Sequence, residues 1–316
     1  MLCVVTGAAG FIGSHLCDAL LRLGHTVRAI DALIPYYPSR VKERNQAWAA
    51  RHPAYQFQNI DLRTDSLESL VEGADYVFHI AAMPGLMKSW TDFEGYWTCN
   101  VLATQRLIDA VQHAAPNLMR LIYASTSSVY GKFASGDESL PTRPISPYGV
   151  TKLAGEHVGR AYAESSSLPL VILRYFSVYG PRQRPDMGYF HFIRAMLTGE
   201  TIDVTGDGHQ IRGNTYVGDC IAATVAAMEA LPGETFNVGG GEMASVWEIL
   251  KRLETIIGVK ANTRILPARP GDQRHNFADT TKLRRHLGWR PIVTLDEGLA
   301  RQVEWQRDEL RAEATR

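Results

Sequence analysis

The chain has 316 residues, of which 45% are apolar and 21% charged, the balance of a globular protein with one large domain or a large and a small one. Basic and acidic residues number 33 each, so the net charge is zero and a nucleic-acid partner is not expected. The sequence shows neither a signal peptide nor a span apolar enough for a membrane, so we expect a cytoplasmic protein without a membrane partner. The four cysteines lack metal-site spacing, so we expect buried free thiols and no bound metal: Cys3, Cys17, Cys99 and Cys220.

The first half of the chain alternates β-rich runs with amphipathic stretches. Strands are predicted over 2–6, 26–31, 55–60, 75–81, 118–125 and 168–176, and helices over 11–23, 101–114 and 147–163. This alternation predicts an α/β fold with a doubly wound parallel sheet of the Rossmann type.

After residue 176 the elements become shorter and loops bearing arginine appear at 180–185, 206–213 and 267–271. We therefore predict a first domain over 1–176 and a smaller C-terminal α/β domain over 177–316. Part of about 210–240 is expected to pack back on the first domain.

A glycine-rich turn, 6–13, follows the first predicted strand and opens the first predicted helix. Gly7 would allow the tight turn, Gly10 the approach of a pyrophosphate, and Gly13 close packing of helix on strand. With Phe11 and Ile12 at the helix N-terminus, these residues predict a dinucleotide site. A plain turn is the alternative, which the flanking strand and helix disfavour.

Two carboxylates follow the next two strands. Asp31 stands where a carboxylate accepts hydrogen bonds from the adenosine ribose, and its charge would repel a 2′-phosphate, so NAD is favoured over NADP. A solvated turn residue is the alternative for Asp31. Asp61, followed by Leu62, could meet the adenine edge or could instead be a helix N-cap.

Tyr148 and Lys152 lie four positions apart and so share one face of the predicted helix 147–163. We expect the lysine ammonium and the positive nicotinamide ring to lower the pKa of Tyr148, making it a base for a sugar hydroxyl. The hydroxyls of 125–128 end a predicted strand and would face the same crevice. An exposed helix pair is the alternative for the tyrosine and lysine alone, and the glycine motif disfavours it.

Together these elements resemble an extended short-chain dehydrogenase/reductase over essentially the whole chain. The resemblance implies a catalytic set of Thr126, Tyr148 and Lys152, with Lys152 also holding the nicotinamide ribose. It places Ala81 and Tyr175 against NAD.

Segments 124–131, 146–152 and, most specifically, 173–187 are similar to bacterial UDP-glucuronate 4-epimerases. The resemblance implies conversion of UDP-glucuronate to UDP-galacturonate through a transient 4-keto sugar, with hydride returned to the opposite face. The predicted contacts of the sugar are Pro84, Thr126, Ser127, Ser128, Tyr148, Ser177 and Arg184, with Arg184 on the carboxylate; those of the UDP are Arg212, Arg269 and Asp272. Relatives often have an arginine where this chain has Met87, and Lys88 is the candidate replacement.

Three other functions remain open. A UDP-glucuronate decarboxylase usually has an acid soon after the catalytic threonine, where this chain has Ser127 and Ser128. A 4-epimerase of neutral UDP-sugars would leave Arg184 without a carboxylate to bind. A non-catalytic NAD-sensing protein typically lacks the tyrosine or the lysine, and both are present here.

Two predicted helices carry apolar faces, formed by Val101, Leu107, Ile108 and Val111 in one and by Val150, Ala154, Val158 and Ala161 in the other. The resemblance implies that these faces pair across a two-fold axis in a homodimer. The alternative is that both faces only cover the sheet.

Overall fold

The computed structural model describes residues 1–267 and 275–314. The strands are β1 (Leu2–Thr6), β2 (Thr26–Ile30), β3 (Tyr55–Gln58), β4 (Tyr76–His79), β5 (Arg120–Thr126), β6 (Phe133–Gly136), β7 (Leu170–Tyr175), β8 (Val178–Tyr179), β9 (Ile202–Thr205), β10 (Ile211–Gly213), β11 (Thr215–Tyr216), β12 (Thr235–Val238), β13 (Met243–Ser245), β14 (Thr263–Leu266) and β15 (His275–Ala278). The helices are α1 (Phe11–Arg22), α2 (Ser39–Asn45), α3 (Glu68–Val71), α4 (Phe93–Trp97), α5 (Ala103–Ala114), α6 (Pro147–Ser166), α7 (Gly188–Thr198), α8 (Val217–Ala226), α9 (Val246–Ile257), α10 (Thr281–Leu287) and α11 (Leu295–Ala314).

The main sheet is parallel and has the strand order β12-β7-β5-β4-β1-β2-β3. The predicted doubly wound, Rossmann-type fold is confirmed, and the six predicted strands lie where the pattern placed them, with ends that differ by a few residues. Strand order reverses at β1 and β4, so a crevice opens beyond the carboxyl ends of these strands.

The second half of the chain returns to this sheet. β12 pairs with β7 at its edge, and α8 packs against α1. A separate four-stranded sheet has the order β13-β10-β15-β6. Segment 206–213, predicted as a loop, contains β10, because its backbone pairs with β13 and β15.

The apolar face predicted for helix 101–114 is buried within the chain itself. Val101, Leu107, Ile108 and Val111 are at most 7% exposed, and the last three pack in the core between α5 and the sheet. The prediction that this face meets a second subunit is therefore wrong, since its side chains cover the sheet. On α6, Val158 also packs against this core, whereas Val150 is exposed.

All four cysteines are buried free thiols, as predicted. Burial raises the pKa of each thiol above its ordinary value. Among residues 1–267 and 275–314, no helix combines the length and the apolar character needed to cross a membrane.

Candidate active site

A cleft of about 1180 Å³ opens at the carboxyl ends of the central strands. Every residue predicted to bind the dinucleotide lines it: Gly7, Gly10, Phe11, Ile12, Gly13, Asp31, Asp61, Leu62, Ala81, Tyr148, Lys152 and Tyr175. Two residues predicted to contact the sugar, Pro84 and Arg184, are also in its wall. The fold thus brings the whole dinucleotide set and part of the sugar set to one cavity.

The glycine turn is compact for identifiable reasons. Gly7 has φ +68°, and its carbonyl accepts a hydrogen bond from Gly10 N at 3.0 Å. A Cβ on Gly13 would lie 2.1 Å from that carbonyl oxygen, so only glycine lets α1 approach the turn this closely. Within the described ranges no side chain caps α1, and its first turn has no acidic residue. Its N–H groups are therefore suited to a pyrophosphate.

Asp31 is buried and paired, unlike a solvated turn residue. Its Oδ1 lies 3.0 Å from Lys42 Nζ, and both side chains are less than 10% exposed. Its oxygens also accept hydrogen bonds from the backbone N–H groups of Ala9 and Leu33. The sequence analysis missed Lys42, because a single lysine in a short helix gives no pattern that points to a distant carboxylate.

Asp61 is held by Arg63, which the sequence analysis also missed. The guanidinium donates from Nε to Oδ1 at 2.9 Å and from Nη2 to Oδ2 at 2.6 Å. These hydrogen bonds lower the pKa of the Asp61 carboxyl. Asp61 is not a helix N-cap, since the next helix, α3, begins at Glu68, and both Asp61 and Arg63 line the cleft.

Tyr148 enters the cleft from the first turn of α6. That helix begins at Pro147 and is capped by Ser146, whose Oγ accepts a hydrogen bond from Gly149 N at 3.1 Å. Burial raises the pKa of Tyr148, while a hydrogen bond with Thr126 and the charge of Arg184 act to lower it. Thr126 and Arg184 are therefore groups of the protein that favour the phenolate, and the same effect of Lys152 stays a prediction.

Lys152 is 2% exposed, and its Nζ lies 4.1 Å from the centre of the Tyr123 ring. Burial lowers its pKa to about 7, against the opposing charge of Glu156. Glu156, four residues along α6, accepts hydrogen bonds from Ser125 Oγ at 2.5 Å and from Arg174 Nη2 at 2.7 Å. One buried carboxylate thus links α6, the end of β5 and β7.

Arg184 marks the other end of the cleft, and it already has a carboxylate partner. Its Nε and Nη2 donate to Asp186 Oδ1 and Oδ2, each at 3.0 Å. Tyr36, also missed, lies alongside with its ring centre 6.0 Å from the Arg184 guanidinium carbon. Lys88 Nζ lies 4.8 Å from the same ring, whereas Met87 is 57% exposed.

The remaining predicted residues lie around the cleft rather than in its described wall. Thr126 ends β5 and its hydroxyl accepts a hydrogen bond from Ser128 N at 3.2 Å. Ser127 Oγ accepts one from Asn276 Nδ2 in β15 at 3.2 Å. The Ser177 carbonyl binds Thr215 N, and Arg212 lies in β10.

Two predicted site residues, Arg269 and Asp272, lie outside the described residues.

Tyr175 is held in place by α8, where its hydroxyl contacts Thr224 Oγ1 at 2.8 Å. Its ring is thereby left to line the cleft.

Residues 3–239 match the model of the NAD dependent epimerase/dehydratase family. A UDP-glucuronic acid 4-epimerase from Bacillus cereus, solved with UDP-glucuronic acid and NAD, is 42% identical, with a TM-score of 0.95 over 98% of this chain and 100% of that one. A UDP-glucuronate 4-epimerase of Thermodesulfobacterium geofontis is 33% identical over 97% of this chain and 96% of its own length. The uncharacterized UDP-glucose epimerase YtcB of Bacillus subtilis is 40% identical over 96% of this chain and 98% of its own.

Proposed function

The chain belongs to the NAD dependent epimerase/dehydratase family, and on this basis we propose that it is a UDP-glucuronate 4-epimerase, which interconverts UDP-glucuronate and UDP-galacturonate. One observation carries the choice of substrate. Arg184 lines the same cleft as Tyr148 and is close enough for its charge to act on that hydroxyl. A fixed cation beside the base is suited to a sugar whose carboxylate is carried by the neighbour of the reacting carbon.

The cofactor is NAD, which when bound supplies a reversible hydride acceptor for C4 of the sugar. The glycine turn would hold its pyrophosphate against the N-terminus of α1. Asp31 would accept hydrogen bonds from the adenosine ribose hydroxyls, and Lys152 would donate to the nicotinamide ribose. Asp61, Leu62 and Ala81 would form the remaining wall around the dinucleotide.

The residues of the chain handle the proton. Tyr148 accepts the proton of the C4 hydroxyl and returns it to the C4 oxygen after the 4-keto sugar has turned its other face. Thr126 orients the phenol through their hydrogen bond. We infer that Lys152, buried one turn further along α6, favours the deprotonated state when it is charged. We assign these three residues as the catalytic set.

The 4-keto uronic acid is a β-keto acid and loses carbon dioxide readily, so the enzyme must protect its intermediate. A bidentate hydrogen bond from Arg184 would fix the carboxylate out of line with the ketone and favour its charged state. Ser127, Ser128 and Ser177 are proposed to assist, with Pro84 against the sugar. Arg212, Arg269 and Asp272 are proposed to hold the UDP.

A second candidate is a 4-epimerase of neutral UDP-sugars, and one observation favours it. Arg184 is already paired with Asp186, so a neutral sugar would leave no unpaired cation behind. The similarity to a relative described as a UDP-glucose epimerase points the same way.

Product analysis by NMR distinguishes these candidates. With UDP-glucuronate the proposal expects UDP-galacturonate as the main product and little UDP-pentose. UDP-xylose or UDP-4-keto-pentose as the main product would make the protein a decarboxylase. Faster turnover of UDP-glucose than of UDP-glucuronate would favour the neutral-sugar epimerase. Arg184→Ala should raise KM for UDP-glucuronate far more than for UDP-glucose.

We further propose that the enzyme acts as a cytoplasmic homodimer, divided into an NAD-binding domain over 1–176 and a substrate domain over 177–316. Support for the dimer comes from apolar side chains that stay exposed in α4, at the residue before α5 and in α6. They are Trp97, Leu102 and Val150. This set replaces the buried face that the sequence suggested.

A further inference from the structure

Asp186 lies two residues beyond Arg184, in the loop that precedes α7. It binds Arg184 along one edge of the guanidinium, the edge formed by Nε and Nη2, with both distances 3.0 Å. A guanidinium has five N–H groups in a rigid plane. Two of them, one on Nε and one on Nη2, are directed at Asp186. The other three are the second N–H of Nη2 and both N–H groups of Nη1.

The pair is held in place from the side. Tyr36 lies against Arg184, and its pKa is raised by burial and then by the negative charge of Asp186. The Arg184 side chain is 19% exposed and that of Asp186 is 34% exposed. The guanidinium is therefore largely covered, whereas the carboxylate that binds it reaches solvent.

We propose that Asp186 is a positioning residue, which keeps the Nε edge of Arg184 occupied and so presents the Nη1–Nη2 end to the sugar carboxylate. Asp186 can play this part only if the substrate is a uronic acid, as proposed above. A carboxylate bound at that end can still form two parallel hydrogen bonds. Asp186 would thus fix the position of the substrate carboxylate and, with it, the direction of the C5–C6 bond.

That direction bears on the fate of the 4-keto acid. In decarboxylation the C5–C6 bond breaks and C6 leaves as carbon dioxide, while the electron pair of the bond moves into the C4 ketone to give an enolate, which later takes up a proton. The step requires the breaking bond to align with the carbonyl π system. A guanidinium free to move would let C6 swing into that alignment, whereas one fixed by Asp186 would hold C6 away from it.

The test compares Asp186→Asn with a matched control. Asp203→Asn is suitable, because Asp203 accepts the same side-on pair of hydrogen bonds from Arg264, at 2.8 and 3.0 Å, in the surface strands β9 and β14. Products from UDP-glucuronate are measured by NMR, and kcat and KM are determined for UDP-glucuronate. Binding of UDP-glucuronate and of UDP-glucose is measured by calorimetry.

For Asp186→Asn we expect kcat/KM for UDP-glucuronate to fall about tenfold, equivalent to about 1.4 kcal/mol. The share of decarboxylated product should rise about fivefold over wild type, with UDP-glucose binding within about twofold of it. Asp186→Glu, which keeps the charge, should restore part of the product ratio. Asp203→Asn should match wild type in every measurement.

Two results would overturn the role of Asp186. One is a product ratio and kcat/KM in Asp186→Asn that equal those of Asp203→Asn. The other is tighter binding of UDP-glucuronate by Asp186→Asn, which would show that Asp186 competes with the substrate. Failure of the proposed function looks different, because wild-type enzyme would then not epimerise UDP-glucuronate. In that case, weaker binding of UDP-glucuronate alone in Asp186→Asn would still support the positioning role, and unchanged binding would end it.

Discussion

At the scale of a single residue, Tyr148 is the proposed base, and its surroundings act in both directions: burial opposes the phenolate, whereas Thr126 and Arg184 favour it. Tyr148→Phe removes the oxygen and keeps the ring. Turnover should fall by roughly 10²–10⁴-fold, the usual effect of losing a general base, with UDP-sugar binding retained. Tyr162→Phe is the matched control, since its hydroxyl contacts Asp109 on α5. Near-normal turnover by Tyr148→Phe would exclude it as the base.

Asp31 is the residue that we propose sets the preference for NAD over NADP. Asp31→Ala removes the charge that repels a 2′-phosphate and leaves the buried Lys42 ammonium without its partner. A phosphate is a good partner for such a cation. The preference for NAD over NADP should therefore fall by about tenfold or more, as measured from cofactor affinities. Equal affinity of the wild-type enzyme for both cofactors would contradict the role of Asp31.

His79 should make the stability of the fold depend on pH. It is fully buried, and burial followed by the charge of Lys152 lowers its pKa to about 3. Thr6, Thr104 and the Tyr123 ring surround it. Between pH 6.5, the ordinary pKa of histidine, and about pH 3, the His79 side chain is protonated in the unfolded chain but not in the native state. Stability due to His79 is therefore present above about pH 6.5 and is lost as the pH falls.

Below this pH the free energy of unfolding should fall by about 1.4 kcal/mol per pH unit because of His79. Urea unfolding at several pH values between 6.5 and 5 measures it, and His79→Gln should reduce the slope by this amount. His15, whose pKa burial lowers to about 4, acts in the same direction and should leave part of the slope in the variant. An unchanged slope in His79→Gln would mean that His79 takes up its proton in the native state.

At the scale of secondary-structure elements, Glu156 joins three of them. It is 1% exposed and binds Arg174 on β7 and Ser125 on β5. Glu156→Gln leaves the Arg174 charge buried without a counter-charge, and breaking such a pair typically costs about 3–5 kcal/mol. Chemical denaturation should show a loss of this size. The exposed pair of Glu254 and Lys260 is the control, and Glu254→Gln should change the unfolding free energy little.

The helices and strands were largely predictable, because the spacing of apolar residues and the residues that begin or end an element can be read within one segment. α6 has its cap at Ser146 and a proline at its first position, and β7 is an almost continuous apolar run. Pairs between distant segments were not predictable. The contact of Lys42 in α2 with Asp31 after β2 and the burial of Leu107 depend on which surfaces the fold brings together. The cleft residues were identified because motif order fixes their place at the ends of parallel strands.

At the scale of the whole molecule, the proposed dimer rests on side chains that the fold leaves exposed. Val150→Glu adds a charge to the exposed apolar set that also includes Trp97 and Leu102. Light scattering at micromolar concentration should show a dimer for the wild type and a monomer for the variant. Leu231→Glu, a change at an exposed leucine on another face, should remain dimeric. A wild-type monomer would exclude the dimer.

The position of β12 has a consequence for how the chain is made. β7 is buried at every residue and pairs with β12, which follows some sixty positions later, through the register Thr235 with Ile172 to Val238 with Tyr175. During synthesis the nascent sheet therefore carries an open apolar edge until Val238 has left the ribosome. A fragment ending at 176 keeps that edge permanently, and unpaired edges of this kind recruit other chains. The cofactor-binding half should thus aggregate when expressed alone, although its nucleotide motifs are all present.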